Sequence, residues 1–230
     1  MKWIANKLTN YNSSNQSIGK YLRKKRISLF KKMIEKIFLK KGKVNILDIG
    51  GTVQYWKIID REFLTRNHVN ISLLNLPNSQ VNKDDPNFFF IEGDATTNIW
   101  EKINMNNFNL IHSNSVIEHV GNWEKMKSFA NNIKSFKGDY YIQTPNFWFP
   151  IEPHCMTPFF QFFPLPLKIK LVSKFALGHW EKAKDVSHAM EIIESANLLN
   201  FAMISYLFED SKIIKEKFLF LNKSFIAIRN

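Results

Sequence analysis

Short apolar runs alternate with amphipathic stretches along most of this chain. Five of the runs read as buried strands, and they are KVNILDI, NISLLN, NFFFIE, FNLIHS and GDYYIQT. Apolar positions at helical spacing predict helices in TVQYWKIIDREFL and NWEKMKSFANNIKSF. Strands that alternate with helices favour right-handed crossovers and a parallel sheet covered on both faces. The pattern therefore predicts a doubly wound α/β protein.

The same periodicity extends to both ends of the pattern. From Ile18 to Leu39, apolar positions recur every three or four residues, which predicts an amphipathic helix with a basic outer face, ending at Gly42. Further on, FAMISYLF and KFLFLNKSFIAIR predict two closing strands arranged as a hairpin. Between the fifth strand and this hairpin, DVSHAMEIIESANLLN predicts a helix whose inward residues are Val186, Met190, Ile193 and Leu198.

The stretch TPNFWFPIEPHCMTPFFQFFPLPLK, residues 144–168, interrupts the pattern. It holds six of the eight prolines, so neither a regular helix nor an inner strand fits it. We interpret 146–184 as an insertion that covers the carboxyl edge of the sheet. The predicted division is an N-terminal helical segment, 1–42, and a domain, 43–230, that carries this cap. We expect an apolar underside from Phe147, Trp148, Phe149, Phe159, Phe160, Phe162 and Phe163.

Composition narrows the class of protein. A chain of 230 residues with 45% hydrophobic content has room for one sizeable domain with a real core. Its single cysteine, Cys155, excludes an internal disulfide and a cysteine-based zinc site. No apolar run approaches the roughly 20 residues that cross a bilayer. The first 17 residues lack the apolar core of a secretory signal. We therefore expect a cytoplasmic protein.

The net charge of +12 raises nucleic acid and anionic membranes as partners. The chain has 27 Lys and 5 Arg, and Arg is the usual reader of base edges. This ratio argues against nucleic acid and favours a solvated basic surface. Aromatic residues beside Lys168, Lys170 and Lys174 also predict a peripheral membrane contact. Vesicle flotation that shows no difference between anionic and neutral lipid would count against that contact.

The polar residues that follow the predicted strands carry a resemblance to a known family. In open α/β sheets, ligands bind outside the carboxyl ends of the strands. Here NILDIGGT, IEGDAT and IHSNSVIEHV resemble motifs of the class I S-adenosylmethionine-dependent methyltransferases, in particular the methyltransferase type 11 family, over roughly 46–146. The extension TPNFWFPIEPH is similar to a branch associated with bacterial glycan modification. The resemblance implies a Rossmann-like, doubly wound, mostly parallel seven-stranded sheet with a cap insertion after strand five.

The resemblance also implies a site for S-adenosyl-L-methionine. Asp48 would anchor the glycine loop, and the Asp94 carboxylate would accept from the adenine amino group. Thr52 and Gln54 stand where the family has its later glycines. The family has an acid for both ribose hydroxyls where this chain has Asn75, which lacks the charge, so we expect weaker ribose binding. The implied cofactor residues are Asp48, Gly50, Gly51, Thr52, Asn75, Leu76, Asp94, Ala95, Ser113 and Asn114.

For catalysis we expect His154 as a base, oriented by Glu152, because a hydroxyl acceptor must lose a proton. The structural alternative is that both side chains satisfy backbone groups in the loop. Glu118 and His119 are interpreted as residues that stabilise the local helix start. Relatives that bind a metal have an acid three residues before this Glu, where Ser115 stands here, so we predict no metal.

The predicted function is S-adenosylmethionine-dependent O-methylation of a sugar or glycan-type small acceptor by this enzyme. Two alternatives stay open. A nucleic-acid methyltransferase is disfavoured by the scarcity of Arg and by SNSV, which stands where an Asn-Pro-Pro-Tyr-type motif would follow the fourth strand. A non-catalytic Rossmann-like binding domain is favoured by Asn75 and by the missing glycines.

Overall fold

Strands and helices alternate along the part of the chain that the structure describes. The computed structural model describes residues 18–77, 79 and 85–230, with side chains from residue 25 onward, so the prediction about the first 17 residues lies outside it. The strands are β1 Val44–Ile49, β2 Val69–Asn75, β3 Phe88–Glu92, β4 Leu110–Asn114, β5 Asp139–Pro145, β6 Lys212–Phe218 and β7 Leu221–Arg229. The α-helices are α1 Ile18–Lys41, α2 Val53–Trp56, α3 Arg61–Arg66, α4 Ile99–Lys102, α5 Trp123–Ser135, α6 Leu165–Lys174, α7 Val186–Glu194 and α8 Phe201–Leu207. One-turn 3₁₀ helices lie at Met105–Asn107, Ile117–His119 and Phe160–Phe162.

The seven strands of the described chain form one sheet with the order β3-β2-β1-β4-β5-β7-β6. The strands β1 to β5 pair in parallel, and β7 lies antiparallel between β5 and β6. Strand order reverses between β1 and β4, which is the switch point where ligands bind in open α/β sheets. The predicted doubly wound, mostly parallel, seven-stranded sheet is confirmed.

Helices cover both faces of the sheet. On one face α1 buries Phe30, Ile34 and Ile37 against β1 and Trp56. On the other face α5 and α8 pack against the sheet in a second buried cluster. The helix α1 ends as predicted, since Gly42 has a φ of 71° and its N–H donates to the carbonyl of Phe38 at 2.7 Å. None of the described helices has both the length and the hydrophobicity that crossing a bilayer requires.

The predicted strand FAMISYLF is wrong, because these residues form helix α8. The Asn200 side chain accepts the N–H of Met203 and caps the helix. Ile204, Leu207 and Phe208 recur at helical spacing and are all buried. The predicted hairpin exists, but both of its strands lie within 212–229.

Two further helical predictions need correction. The stretch TVQYWKIIDREFL forms two short helices, because Asp60 caps a new helix by accepting the N–H of Glu62. In α7 the inward face is also different from the prediction. Val186 is 63% exposed, whereas Ala189 and Ile192 are buried, because that side of α7 meets the insertion.

The insertion after β5 has a small apolar core shared with α7. This core consists of Cys155, Phe160, Val172, Leu177, Ala183, Ala189 and Ile192. The chain enters the insertion directly from the carboxyl end of β5, so its first residues start at the edge where the parallel strands end. Its role as a cap stays a prediction.

Candidate active site

The glycine loop between β1 and α2 passes very close to two other parts of the protein. Gly50 has a φ of 68°, and a Cβ there would lie 2.5 Å from Cγ2 of Val116. A Cβ on Gly51 would lie 1.8 Å from Oδ2 of Asp48. Neither position has room for a side chain, so both glycines are needed for the loop to take this path.

The Asp48 side chain lies against Gly51 of the loop and is 1% exposed. Its Oδ2 accepts the indole N–H of Trp56 at 2.6 Å, and its Oδ1 lies 2.7 Å from Nδ1 of His112. The hydroxyl of Tyr55 lies 3.2 Å from the other ring nitrogen of His112. The carboxylate thus connects α2 with β4 by hydrogen bonds, and its role as an anchor of the glycine loop stays a prediction. Sequence reasoning missed His112, whose only signal is a histidine inside an apolar strand.

The next predicted donor residues lie around this loop. The Asn75 amide donates to the carbonyl of Gly51 at 3.0 Å, which ties the end of β2 to the loop. The Thr52 hydroxyl accepts the N–H of Tyr55 at 3.2 Å and caps α2. The Leu76 side chain is 57% exposed. Contact of these residues with a cofactor stays a prediction.

Asp94 and Ala95 follow β3 in a tight turn. Oδ1 of Asp94 accepts both the N–H of Thr96 at 2.8 Å and its hydroxyl at 2.7 Å. The carbonyl of Ala95 accepts the amide of Asn132 at 2.9 Å, and Ala95 is buried. This turn has the hydrogen bonds of an ordinary Asp turn, so adenine binding at Asp94 stays a prediction.

Ser113 and Asn114 have side chains that already contact protein groups. The buried Ser113 hydroxyl donates to the carbonyl of Ile49 at 3.2 Å. Oδ1 of Asn114 accepts from Arg26 at 2.8 Å, and Arg26 also pairs with Glu216 at 3.1 Å. Sequence reasoning missed this arginine, which reaches the sheet edge from α1.

Glu152 and His154 form a close pair at the start of the insertion. Oε2 of Glu152 accepts the N–H groups of His154 at 2.8 Å and of Cys155 at 2.7 Å, and Oε1 lies 2.6 Å from Nδ1 of His154. Glu152 thus satisfies the loop backbone and orients the imidazole at once. Burial alone would raise the pKa of Glu152, but the hydrogen bond and charge of His154 hold that pKa below its usual value. Burial alone would lower the pKa of His154, but Glu152 holds that pKa above its usual value.

The imidazole of His154 meets two residues that follow β4. Its Nε2 lies 3.1 Å from Nε2 of His119, whose Nδ1 lies 2.6 Å from the carbonyl of Ser195. Burial is the main reason that the pKa of His119 lies below its usual value. Glu118 is fully buried and accepts the hydroxyl of Thr144 at 2.9 Å. Burial raises the pKa of Glu118 to about 7.

Glu118, His119 and His154 therefore form a cluster in which one ligand-type atom from each lies within 4.8 Å of the others. We call it the His–Glu cluster. It adjoins the glycine loop, because Val116, which lies against Gly50, comes two residues before Glu118. The glycine loop and the His–Glu cluster thus share the carboxyl edge of β1, β4 and β5.

Comparison with solved structures identifies the fold. The DszA carbon methyltransferase matches with a TM-score of 0.55 and 15% identity, over 94% of this chain and 55% of that chain. An O-methyltransferase family protein from Burkholderia thailandensis matches with a TM-score of 0.44 and 11% identity, over 87% of this chain and 55% of that chain. A methyltransferase from Archaeoglobus fulgidus matches with a TM-score of 0.48 and 12% identity, over 88% of this chain and 94% of that chain. The chain spans little more than half the length of the first two.

The strand order, the antiparallel β7 and the match to the carbon methyltransferase together define the class I S-adenosylmethionine-dependent methyltransferase fold. No protein-family model matches the sequence. No curated protein matches it either.

Proposed function

We propose that this chain is an S-adenosylmethionine-dependent methyltransferase of the type 11 kind that methylates an oxygen of a sugar or glycan-type small acceptor. The supporting observation is that the class I fold brings a tight glycine loop and an imidazole–carboxylate pair to one edge of the sheet. Ligands of open α/β sheets bind at this edge.

The donor side of the proposed site begins at the glycine loop. The methionine portion of the cofactor would lie against Gly50 and Gly51, where the backbone is bare of side chains. The Nδ2 of Asn75 is used by the Gly51 carbonyl, so Oδ1 is the atom that would accept a ribose hydroxyl. An amide is a weaker acceptor than a carboxylate, so ribose contributes less binding energy here than with an acid.

On the acceptor side, the chemistry needs a base and accurate positioning. The acceptor oxygen forms a bond to the methyl carbon while the electrons of the breaking C–S bond return to sulfur, and the hydroxyl proton must leave. In neutral His154, Nδ1–H donates to Glu152, so Nε2 has the lone pair that takes this proton. The proposal of an oxygen acceptor rests on this arrangement.

Exposed aromatic residues of the insertion support a sugar-type acceptor. Trp148 is 62% exposed and its ring stacks against Phe162 at a centroid distance of 5.7 Å. Phe147 and Phe159 also contact Phe162. Aromatic faces of this kind suit the apolar faces of pyranose rings. Phe149 and Phe160 are buried, whereas Trp148, Phe159 and Phe162 are exposed, and the apolar underside expected of the insertion stays a prediction.

A transfer assay tests the proposal. Purified protein is incubated with S-adenosylmethionine and either sugars, nucleotide sugars, tRNA or DNA, and release of S-adenosylhomocysteine is measured. We expect release with a sugar-type acceptor. Release with nucleic acid alone would replace the proposed acceptor, and binding of the cofactor without any transfer would favour a binding domain.

The variant His154→Ala is expected to lower turnover by about 10²–10⁴-fold, the usual contribution of a group that activates a hydroxyl. The affinity for S-adenosylhomocysteine should stay unchanged, because His154 lies on the acceptor side. The control is His188→Ala, which removes an imidazole that faces Glu181 at 3.6 Å in the same half of the chain. Equal turnover in His154→Ala and the unmodified protein would remove His154 from the mechanism.

A further inference from the structure

Two lone pairs face each other in the His–Glu cluster. A carbonyl oxygen only accepts hydrogen bonds, so Nδ1 of His119 carries a proton toward Ser195. The Glu152 carboxylate likewise keeps the proton of His154 on Nδ1. In the neutral rings both Nε2 atoms are then unprotonated, yet they lie 3.1 Å apart. Such a contact is repulsive unless something positive stands between the nitrogens.

The buried carboxylate beside them has the same deficiency. Oε1 of Glu118 is shielded from solvent and has no hydrogen-bond partner of normal geometry among the residues that the structure describes, although the Ser115 hydroxyl is near enough to lower the pKa of this carboxyl. An unpaired buried carboxylate oxygen is costly. A proton shared by the two imidazoles would relieve the nitrogens but would leave this oxygen unpaired. A cation bound by all three atoms relieves both problems.

We propose that Glu118, His119 and His154 hold a divalent transition-metal ion. Imidazole nitrogens bind zinc at about 2.0–2.1 Å, so two neighbouring nitrogen ligands lie about 3 Å apart. The observed separation of the two Nε2 atoms is 3.1 Å. In a tetrahedral zinc site the ligand atoms all stand about 3.3 Å apart, so the 4.8 Å spread of the cluster closes with side-chain shifts that total about 1.5 Å.

The partners behind the three ligands support this assignment. Metal-binding histidines usually donate their second N–H to a carboxylate or a backbone carbonyl, and ligating carboxylates are themselves hydrogen-bonded. His154 contacts Glu152, His119 contacts the carbonyl of Ser195, and Glu118 accepts from Thr144. These partners fix the ring orientations before any ion arrives. Protein atoms surround much of the His119 ring, which accounts for its lowered pKa, but the residue still reaches solvent, and this exposed part gives the ion a route of entry.

The donor set selects the kind of ion. Two imidazoles and one carboxylate suit Zn²⁺, Mn²⁺, Fe²⁺ or Co²⁺, whereas Mg²⁺ and Ca²⁺ prefer oxygen ligands throughout. Three protein ligands also leave coordination positions open for water or substrate. The sequence prediction of no metal relied on Ser115, but in this arrangement His154 supplies the third ligand from the insertion.

The role of the ion rests on the proposed methyl transfer. An acceptor hydroxyl in an open position would have its pKa lowered by the metal charge, so it would attack the methyl group as an alkoxide and release its proton to water. Nε2 of His154 is then a ligand and no longer the base. The acceptor class becomes hydroxyl compounds that bind a transition metal through that oxygen.

Cobalt binding tests the site without any acceptor. The full chain, stripped with a chelator, is titrated with Co²⁺, and the visible ligand-field absorption is recorded. We expect a saturable band with one ion per chain. His119→Ala and the isosteric Glu118→Gln should each weaken Co²⁺ binding at least about tenfold, while His188→Ala should bind Co²⁺ as the unmodified protein does. Circular dichroism confirms that each variant is folded.

Three outcomes would overturn the proposal. They are the absence of a cobalt band, equal Co²⁺ affinity in folded His119→Ala, and a nitrogen NMR spectrum that shows a proton shared by the two imidazoles when metal is present. Binding of S-adenosylhomocysteine is measured on the same samples. Cofactor binding without Co²⁺ binding would overturn the metal site alone, whereas Co²⁺ binding without cofactor binding would overturn the methyltransferase function.

Discussion

Asp94 is the donor-side residue whose proposed role can be separated most cleanly from its structural one. Its Oδ1 holds the turn through Thr96, while the carboxylate is proposed to accept from the adenine amino group. Asp94→Ala should weaken S-adenosylhomocysteine binding at least several-fold. Asp94→Asn is the matched variant, since its amide oxygen still accepts from Thr96 but the second acceptor and the charge are lost.

Calorimetry with S-adenosylhomocysteine checks this prediction. We expect both variants to bind the cofactor more weakly, and Asp94→Asn to keep the thermal midpoint of the unmodified protein. If Asp94→Asn binds normally and only Asp94→Ala is weakened, the residue serves the turn. Unchanged affinity in both variants would remove its adenine role.

At the scale of single residues, the sequence allows a contact to be predicted only when its two residues are close together along the chain. Glu152 and His154 are two residues apart, so their pairing could be predicted, although the catalytic role of either stays a prediction. His119 and His154 are 35 positions apart, and Arg26 and Asn114 are 88 positions apart. Such contacts depend on which strands become neighbours, so no local pattern in a single sequence encodes them.

At the level of secondary-structure elements, the turn from β1 into α2 tolerates no side chain at position 50 without a loss of stability. Gly50→Ala would force an alanine into a left-handed conformation and press its Cβ against Val116. The strain costs about 1–2 kcal/mol and the crowding about 1–3 kcal/mol. We therefore expect the free energy of unfolding to fall by about 2–5 kcal/mol, as measured by urea denaturation.

Gly42→Ala is the control for this substitution. Gly42 also has a positive φ, of 71°, but no heavy atom lies within 4 Å of a Cβ built there. It should therefore lose only the conformational part, about 1–2 kcal/mol. Equal losses for the two variants would mean that the close approach between the glycine loop and Val116 is not real.

Helix α8 shows why the type of an element can be mistaken. The run FAMISYLF is short and almost wholly apolar, so its periodicity does not distinguish a buried strand from a buried helix. The signal that decides is Asn200, which caps the helix through the N–H of Met203. Longer elements with clear periodicity, such as α1 and α5, were predicted correctly.

For the whole molecule, the doubly wound sheet followed from the alternation of apolar runs and helical periods. The position of β7 between β5 and β6 did not, because hairpin strands carry no mark of which neighbour they join. Which aromatic residues of the insertion are buried could not be predicted from the sequence either. Its aromatic residues divide between a buried core and an exposed cluster around Trp148 and Phe162.

The predicted peripheral membrane contact concerns the lysine and aromatic residues of the insertion, and it is untested. Lys174 lies over the exposed ring of Phe175 at 5.5 Å, whereas the ring of Phe160, which Lys168 approaches at 5.8 Å, is buried. Cationic and aromatic groups in this combination are typical of peripheral membrane contacts. Contact with an anionic membrane stays a proposal, as does the glycan nature of the acceptor.

The proposed donor site depends on the whole molecule, because β1, β2, β3 and β4 would each contribute one end to it. Calorimetry of the full chain with S-adenosylmethionine, S-adenosylhomocysteine and NAD is therefore the most direct test. We expect saturable binding of the first two ligands at one site per chain, and no heat with NAD. A folded sample that shows no measurable affinity for S-adenosylmethionine or S-adenosylhomocysteine would contradict the methyltransferase proposal, although the fold would stand.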